Sequence, residues 1–327
     1  MRFDGDDMLD RRTFLASSLC LAAQPVLAQG ASEAQAFPSG RITLMVGFGA
    51  GGMTDVSSRI LASVMEKALK TPVIVENRGG AGGVLAINAV RQMPADGHTI
   101  VSFLTDAPFT ASFQGKPINL DDWAIIGGYM PQERVLFAVK DAPFNTAQEM
   151  IAYAKTNPLT MSDGGSFWSA RVMEAFAKKH GLQIAVMAQR SGQAASTDLM
   201  GGHVSLAETG TGTPAWTAAK QGELKILATL TPGGLAAFGM PQVPTFEQLG
   251  ADYVSRQYYG YAIRSATPGD RIEKLRATLN EILSDSAVRA QFSAIDLTPG
   301  WMDAKGYEAL LQSVARDGEA MRKYLNS

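Results

Sequence analysis

The chain has 327 residues, with 29 Lys and Arg against 31 Asp and Glu and a formal net charge of −2. Apolar residues make up 46% and charged residues 18%, which supports a large core and excludes intrinsic disorder. The near-neutral balance offers no electrostatic footprint for nucleic acid or anionic lipid, and the length suits two lobes or one large α/β domain.

Residues 1–28 read as a targeting segment. Asp10 to Leu15 spell D-R-R-T-F-L, and the paired Arg11 and Arg12 have the form of a twin-arginine export signal. The apolar run from Leu15 to Ala28 ends in small residues and falls short of the ~20 residues a membrane-spanning helix needs. The single cysteine, Cys20, lies inside this signal. The mature protein is therefore expected in the periplasm with no disulfide, no cysteine metal site and no thiol nucleophile.

After the signal, strand and helix patterns alternate. Ile42 to Phe48 is a β-rich run leading into a glycine cluster. A helix follows with apolar residues at Val56, Ile60, Val64, Met65 and Leu69, capped by Thr54 or Asp55. Val73 to Glu76 and Thr99 to Leu104 are further strands, and this order predicts a parallel sheet. A second set starts with a strand at Val135 to Val139 and a helix near Thr146 to Lys155. A Gly/Ser loop at Ser162 to Ser166 precedes a helix over Ala170 to His180. Strands are expected near Ile184–Met187, Val204–Ala207, Ile226–Leu230 and Tyr258–Arg264. Pro268 opens a helix with the stripe Ile272, Leu275, Leu279, Ile282 and Leu283, and a last helix carries Tyr307, Leu311, Val314 and Met321.

Hydrolytic and metal chemistry find little support. The three histidines, His98, His180 and His203, stand far apart with no partner at metal-ligand spacing. No G-x-S-x-G elbow and no Walker lysine is present. No metal, no cofactor and no catalytic residue is expected on the leading reading.

Two glycine-rich turns, Gly47 to Asp55 and Glu76 to Gly83, each follow a strand and precede a helix. A helix N-terminus carries about half a positive charge and unpaired N–H donors, and glycine lets backbone approach an anion. Two such loops in neighbouring crossovers point to a ligand site at the strand C-termini. An alternative stays open here. Gly47, Gly49 and Gly52 satisfy G-x-G-x-x-G, and Glu76 stands where a dinucleotide fold places its ribose-binding acid, so an exported NAD(P)-dependent oxidoreductase is the rival.

Read together, the segments resemble the Bug family, the extracytoplasmic solute-binding (TctC-like) proteins of tripartite tricarboxylate transporters. The resemblance rests on F-P-S-G-R-I-T-L-M-V from Phe37, G-F-G-A-G-G-M-T-D from Gly47 and V-I-V-E-N-R-G-G-A-G-G from Val73. G-E-L-K-I-L-A from Gly222, M-P-Q-V-P-T-F-E-Q-L-G from Met240 and Y-G-Y-A-I-R-S-A-T-P from Tyr259 follow in the family's order. It implies a type II periplasmic-binding-protein fold: two α/β lobes joined by a hinge that the chain crosses twice. Lobe 1 would comprise 37–132 plus 258–327, and lobe 2 would comprise 133–257.

By the same resemblance the protein is no enzyme. It would capture a small organic carboxylate (a di- or tricarboxylate, an amino acid or an aromatic acid) for membrane transporter subunits or a sensor, as a monomer. The ligand would meet Phe48, Gly49, Ala50, Gly51, Gly52, Thr54 and Asp55 on the first loop, with Thr105 and Asp106 nearby. Lobe 2 would offer Ser162, Gly164, Gly165 and Ser166, then Trp168, Glu208 and Thr209. Asp55 is read as a cap more than a contact, Trp168 as either a ring-stacking or a hinge residue, and Arg78 and Arg190 as usable cations. Departures occur where the family often has proline, at Gly47 and Gly79, and where it usually has His-Leu, at Phe167 and Trp168. Glu208 replaces an expected Asp and, facing a cleft, would repel a second carboxylate but accept an ammonium group.

Overall fold

The computed structural model describes residues 37–327; the twin-arginine segment, its cleavage site and Cys20 lie outside the described residues. In chain order come β1 (Ile42–Val46), α1 (Met53–Leu69), β2 (Val73–Asn77), α2 (Val84–Val90), β3 (Thr99–Ser102), α3 (Asp106–Phe113) and β4 (Trp123–Pro131). Next are β5 (Arg134–Val139), α4 (Ala147–Ala154), β6 (Leu159–Asp163), α5 (Phe167–His180), β7 (Ile184–Met187), α6 (Gly192–Met200), β8 (Leu206–Gly210), α7 (Pro214–Lys220) and β9 (Leu224–Thr229). The chain closes with β10 (Tyr258–Arg264), α8 (Gly269–Ser284), α9 (Ser286–Ser293) and α10 (Ala304–Asn326).

The strands form two five-stranded sheets, ordered β2-β1-β3-β10-β4 and β7-β6-β8-β5-β9. β1 pairs in parallel with β2 and β3, as the strand–helix alternation predicts. The sheets are nevertheless mixed. β10 runs antiparallel to β3 and β4, and β5 runs antiparallel to β8 and β9, because these strands carry the chain between sheets instead of following a helical crossover.

Each sheet is buried on both faces, so its strands read as near-continuous apolar runs. On the first sheet Leu44 and Tyr261 pack with Leu61 and Leu275, while Met45 and Ala262 pack on the other face with Ile87 and Tyr307. In the second sheet Leu136 faces Met150 and Phe176, whereas Phe137 faces Leu199 and Trp216. The chain passes from the first sheet to the second between Pro131 and Arg134, and Gln132 N–H donates to the Gln257 carbonyl where it returns.

Helix α10 spans both cores. Its Tyr307 and Leu311 join the first lobe, and its Val314 and Met321 pack with Trp168 and Phe176 of the second. Gly318 permits this path: a Cβ there would stand 2.5 Å from the Phe109 carbonyl of α3. Trp168 stacks on Phe109, with ring centroids 4.9 Å apart and planes 13° from parallel. That aromatic pair is fully buried, so Trp168 belongs to the core at the hinge and not to a ligand-facing wall. Among the described residues no helix is long and apolar enough to cross a membrane.

Candidate ligand-binding site

The first loop, between β1 and α1, is held open by its own chain. Gly52 is the N-cap of α1 and no side chain caps it, so neither Thr54 nor Asp55 takes the role expected for it. Asp55 sits one turn in. It accepts from Gly51 N–H at 2.9 Å and from Asn77 at 2.9 Å, and it pairs with Arg59 at 2.9 Å. Burial alone would raise its carboxyl, but the hydrogen bonds from Arg59, Gly51 and Asn77 together hold it below the ordinary range. Asp55 thus fixes the loop, while Ala50 and Gly51 are exposed.

The second expected anion site, the N-terminus of α5, is already filled. Ser166 caps α5 by accepting from Ser169 N–H at 3.1 Å, and its hydroxyl donates to Asp106 Oδ1 at 2.8 Å. Trp168 N–H donates to the same oxygen at 3.3 Å, and Gln257 reaches Ser166 and Ser169 from the returning strand. A carboxylate from the first lobe therefore occupies the helix end that the sequence reserves for ligand. Burial pushes Asp106 up to about 6, and the nearby Arg134 offsets part of that rise.

A different helix end faces α1. Ser191 caps α6, accepting from Ala194 N–H, and a Cβ on Gly52 would lie 3.9 Å from the Ser191 Cβ. Between these two N-termini lies a small cavity of about 40 Å³, whose walls include Gly52, Asp106, Arg134, Gly192, Thr209 and Gln257. That is room for a few water-sized groups. Glycine is required at 164 and 192, where a Cβ would stand 2.7 Å from Arg134 Nη2 and 2.3 Å from Thr209 Oγ1 respectively.

Two features of this cavity carry chemistry. Thr209 Oγ1 is buried with no hydrogen-bond partner among the described residues, an arrangement that costs about 1–3 kcal/mol unless something fills it. Arg134, 3% exposed, grips Glu208 with Nε at 2.5 Å and Nη2 at 2.6 Å, leaving Nη1 without a partner among the described residues. Glu208 is therefore spent on Arg134 and does not line the cavity, contrary to its expected role toward an ammonium group. Three buried carboxylates, Asp106, Asp163 and Glu208, share this one buried guanidinium.

The structure brings together nine of the sixteen residues expected from sequence: Phe48, Gly49, Gly52, Thr54, Asp106, Gly164, Gly165, Ser166 and Thr209 all line the cavity. It directs the others elsewhere. Ser162 lies within β6 and donates to Asp198 at 2.7 Å, and Thr105 accepts from Tyr258 N–H at 3.0 Å. Arg190 lies at the rim and is exposed, and Arg78 is exposed outside it. Sequence reasoning missed Gln132, Arg134, Gln257 and Tyr259, and it missed the α6 N-terminus. The last had a local signal, since Ser191-Gly192 follows a strand and opens a helix.

Comparison with known proteins agrees with this architecture. The profile of the tripartite tricarboxylate transporter family receptor matches residues 57–326. A UPF0065 protein from the gbd 5' region of Cupriavidus necator is 32% identical over 326 residues, covering 96% of this chain and 97% of the relative. The periplasmic binding protein BugD superposes with a TM-score of 0.78 at 21% identity, over 89% of this chain and 99% of BugD. MatC from Rhodopseudomonas palustris, solved with bound malate, gives 0.76 at 22% identity, over 88% of this chain and 100% of MatC. The dinucleotide alternative gains nothing from these likenesses. By sequence profile and by relatives along nearly its whole length, the chain belongs to the tripartite tricarboxylate transporter receptor family.

Proposed function

We propose that this protein is an exported, non-enzymatic receptor that closes its lobes on a small organic carboxylate. The observation that carries the proposal is the opposition of the α1 and α6 N-termini across a cavity where Thr209 Oγ1 and Arg134 Nη1 have no partner among the described residues. Each helix end presents about half a positive charge and unspent N–H donors, so a carboxylate between them is stabilised by two dipoles and two side chains. Lobe closure removes water and strengthens those contacts. MatC, a structural neighbour, binds malate, which supports an organic acid as the cargo.

On this reading the lobes divide as 37–132 plus 258–327 and 133–257, with α10 bracing both. The protein is a monomer that delivers its cargo to membrane transporter subunits, and the Arg11-Arg12 pair directs its export to the periplasm. A thermal-shift screen of residues 29–327 against organic acids, with NAD and NADP included, tests the function. A ligand at a hundred times its dissociation constant adds about 2.7 kcal/mol. Stabilisation by a carboxylate and none by nucleotides is expected. Stabilisation by NADP alone would overturn the proposal. Lysine at Arg11 and Arg12 should abolish export, read as loss of the periplasmic pool.

A further inference from the structure

A second cavity, about 640 Å³, adjoins the first and shares Phe48, Gly49, Gly165 and Arg190 with it. The inner cavity accepts little more than one carboxylate head, so the body of any larger cargo must extend into this outer one. The outer cavity is not merely apolar space. Thr110, fully buried, forms part of its wall with an Oγ1 that has no hydrogen-bond partner among the described residues, and Asp163, 3% exposed, forms another part. Asp163 Oδ1 accepts from Gly165 N–H at 2.6 Å, and Oδ2 has no partner among the described residues.

The charges around Asp163 are informative. Arg134 is committed to Glu208 through two hydrogen bonds, and Arg171, on the outer wall, is committed to Glu174 at 2.5 Å and to the face of Phe167. Among the described residues neither Asp163 nor Asp106 therefore forms an ion pair: Arg134 acts on both from a distance, and Arg190 stands exposed on the rim that the two cavities share. A buried carboxylate in that position is costly in its charged form unless a proton or a positive group neutralises it.

Resting on the carboxylate reading above, we infer that the cargo is two-ended: its carboxylate sits between the α1 and α6 N-termini, and a cationic nitrogen at its far end pairs with Asp163 beside the Thr110 hydroxyl. The ligand class is an ω-amino or diamino acid, not a simple dicarboxylate. Burial and the neighbouring Glu208 push Asp163 up to about 7, as expected of a carboxylate still lacking its counter-ion. A second carboxylate at the same place would add a negative charge beside Asp163, Asp106 and Glu208.

The test is calorimetric titration of residues 29–327 with ω-amino acids of increasing length, each against the dicarboxylate and the monocarboxylate of equal length. At one length the ω-amino acid should bind about 10–100-fold tighter than both, the range of a charge-assisted hydrogen bond. Asp163→Asn keeps an acceptor for Gly165 N–H and should erase that preference while leaving the melting curve cooperative. Thr110→Val should weaken the ω-amino acid alone. A dicarboxylate that binds as tightly at every length overturns the inference and leaves the carboxylate reading standing. A preference that survives Asp163→Asn also overturns it. Binding of no acid of any class removes both.

Discussion

Glu208→Gln tests the electrostatics of the cleft. Arg134 and Glu208 are 3% and 0% exposed and meet through two hydrogen bonds. Removing one partner of a buried ion pair costs about 3–5 kcal/mol, because the other charge is left without compensation. The low end applies here. Glu208 also raises Asp163 and Asp106, and losing its charge relieves that repulsion. The melting entropy of roughly 290 described residues is about 0.6 kcal/mol/K, so a loss of about 3 kcal/mol lowers the midpoint by about 5 °C. Thermal denaturation followed by circular dichroism at neutral pH measures it. The double change Arg134→Met with Glu208→Leu should recover most of the loss, since the burial penalty of both charges then disappears. A Glu208→Gln midpoint within about 1 °C of wild type would refute the reasoning.

Further outcomes follow from individual positions. Gly52→Val should abolish ligand binding in calorimetry with the fold retained, because its side chain would enter the gap to Ser191. Gly51→Ala should leave the ligand seat open and instead cost stability of about 1 kcal/mol, since φ is +76° there and nothing lies within 4 Å of its Cβ. Gly318→Ala should lower the melting midpoint by several degrees, because its Cβ meets the Phe109 carbonyl backbone of α3 at 2.5 Å and neither helix can move without disturbing both cores. Asp106 and Asp163 titrate at about 6 and about 7, above the unfolded value near 4. Their protonated forms favour the folded state, so that contribution is full below about pH 4 and is lost progressively as pH rises from there to about 6 and 7. Asp163→Asn should therefore melt higher than wild type at about pH 8, with the gain shrinking steadily as pH falls toward about 4, in paired melting curves.

Legibility in the sequence followed the range of the interactions. Strands such as β1 and β10 and helices such as α1, α8 and α10 announce themselves because apolar spacing fixes them within a few residues. α3 and α7 are short, and β4 is interrupted by Gly127 and Gly128, so their signals fell below the pattern. The first glycine loop is legible as a break between strand and helix, and part of it lines the inner cavity. Arg134 is not legible, since nothing beside it marks burial until β8 brings Glu208 across the sheet. The role of Ser166 was misread for a related reason. A Gly/Ser turn before a helix signals an anion site, but no local feature says that Asp106, 60 residues earlier, supplies the anion. Trp168 looked ambiguous because its partner, Phe109, is equally distant in sequence.

Thr209→Val gives the most direct test of where the ligand binds. The substitution keeps the shape of a fully buried side chain and removes a hydroxyl that has no partner among the described residues. Without ligand the variant should melt as high as wild type or about 2 °C higher, since an unsatisfied polar group worth about 1 kcal/mol has gone. Titrated with the organic acid that stabilises wild type most, it should bind about tenfold or more weakly. Unchanged affinity in a well-folded Thr209→Val protein would place the carboxylate elsewhere and contradict a seat between the α1 and α6 N-termini.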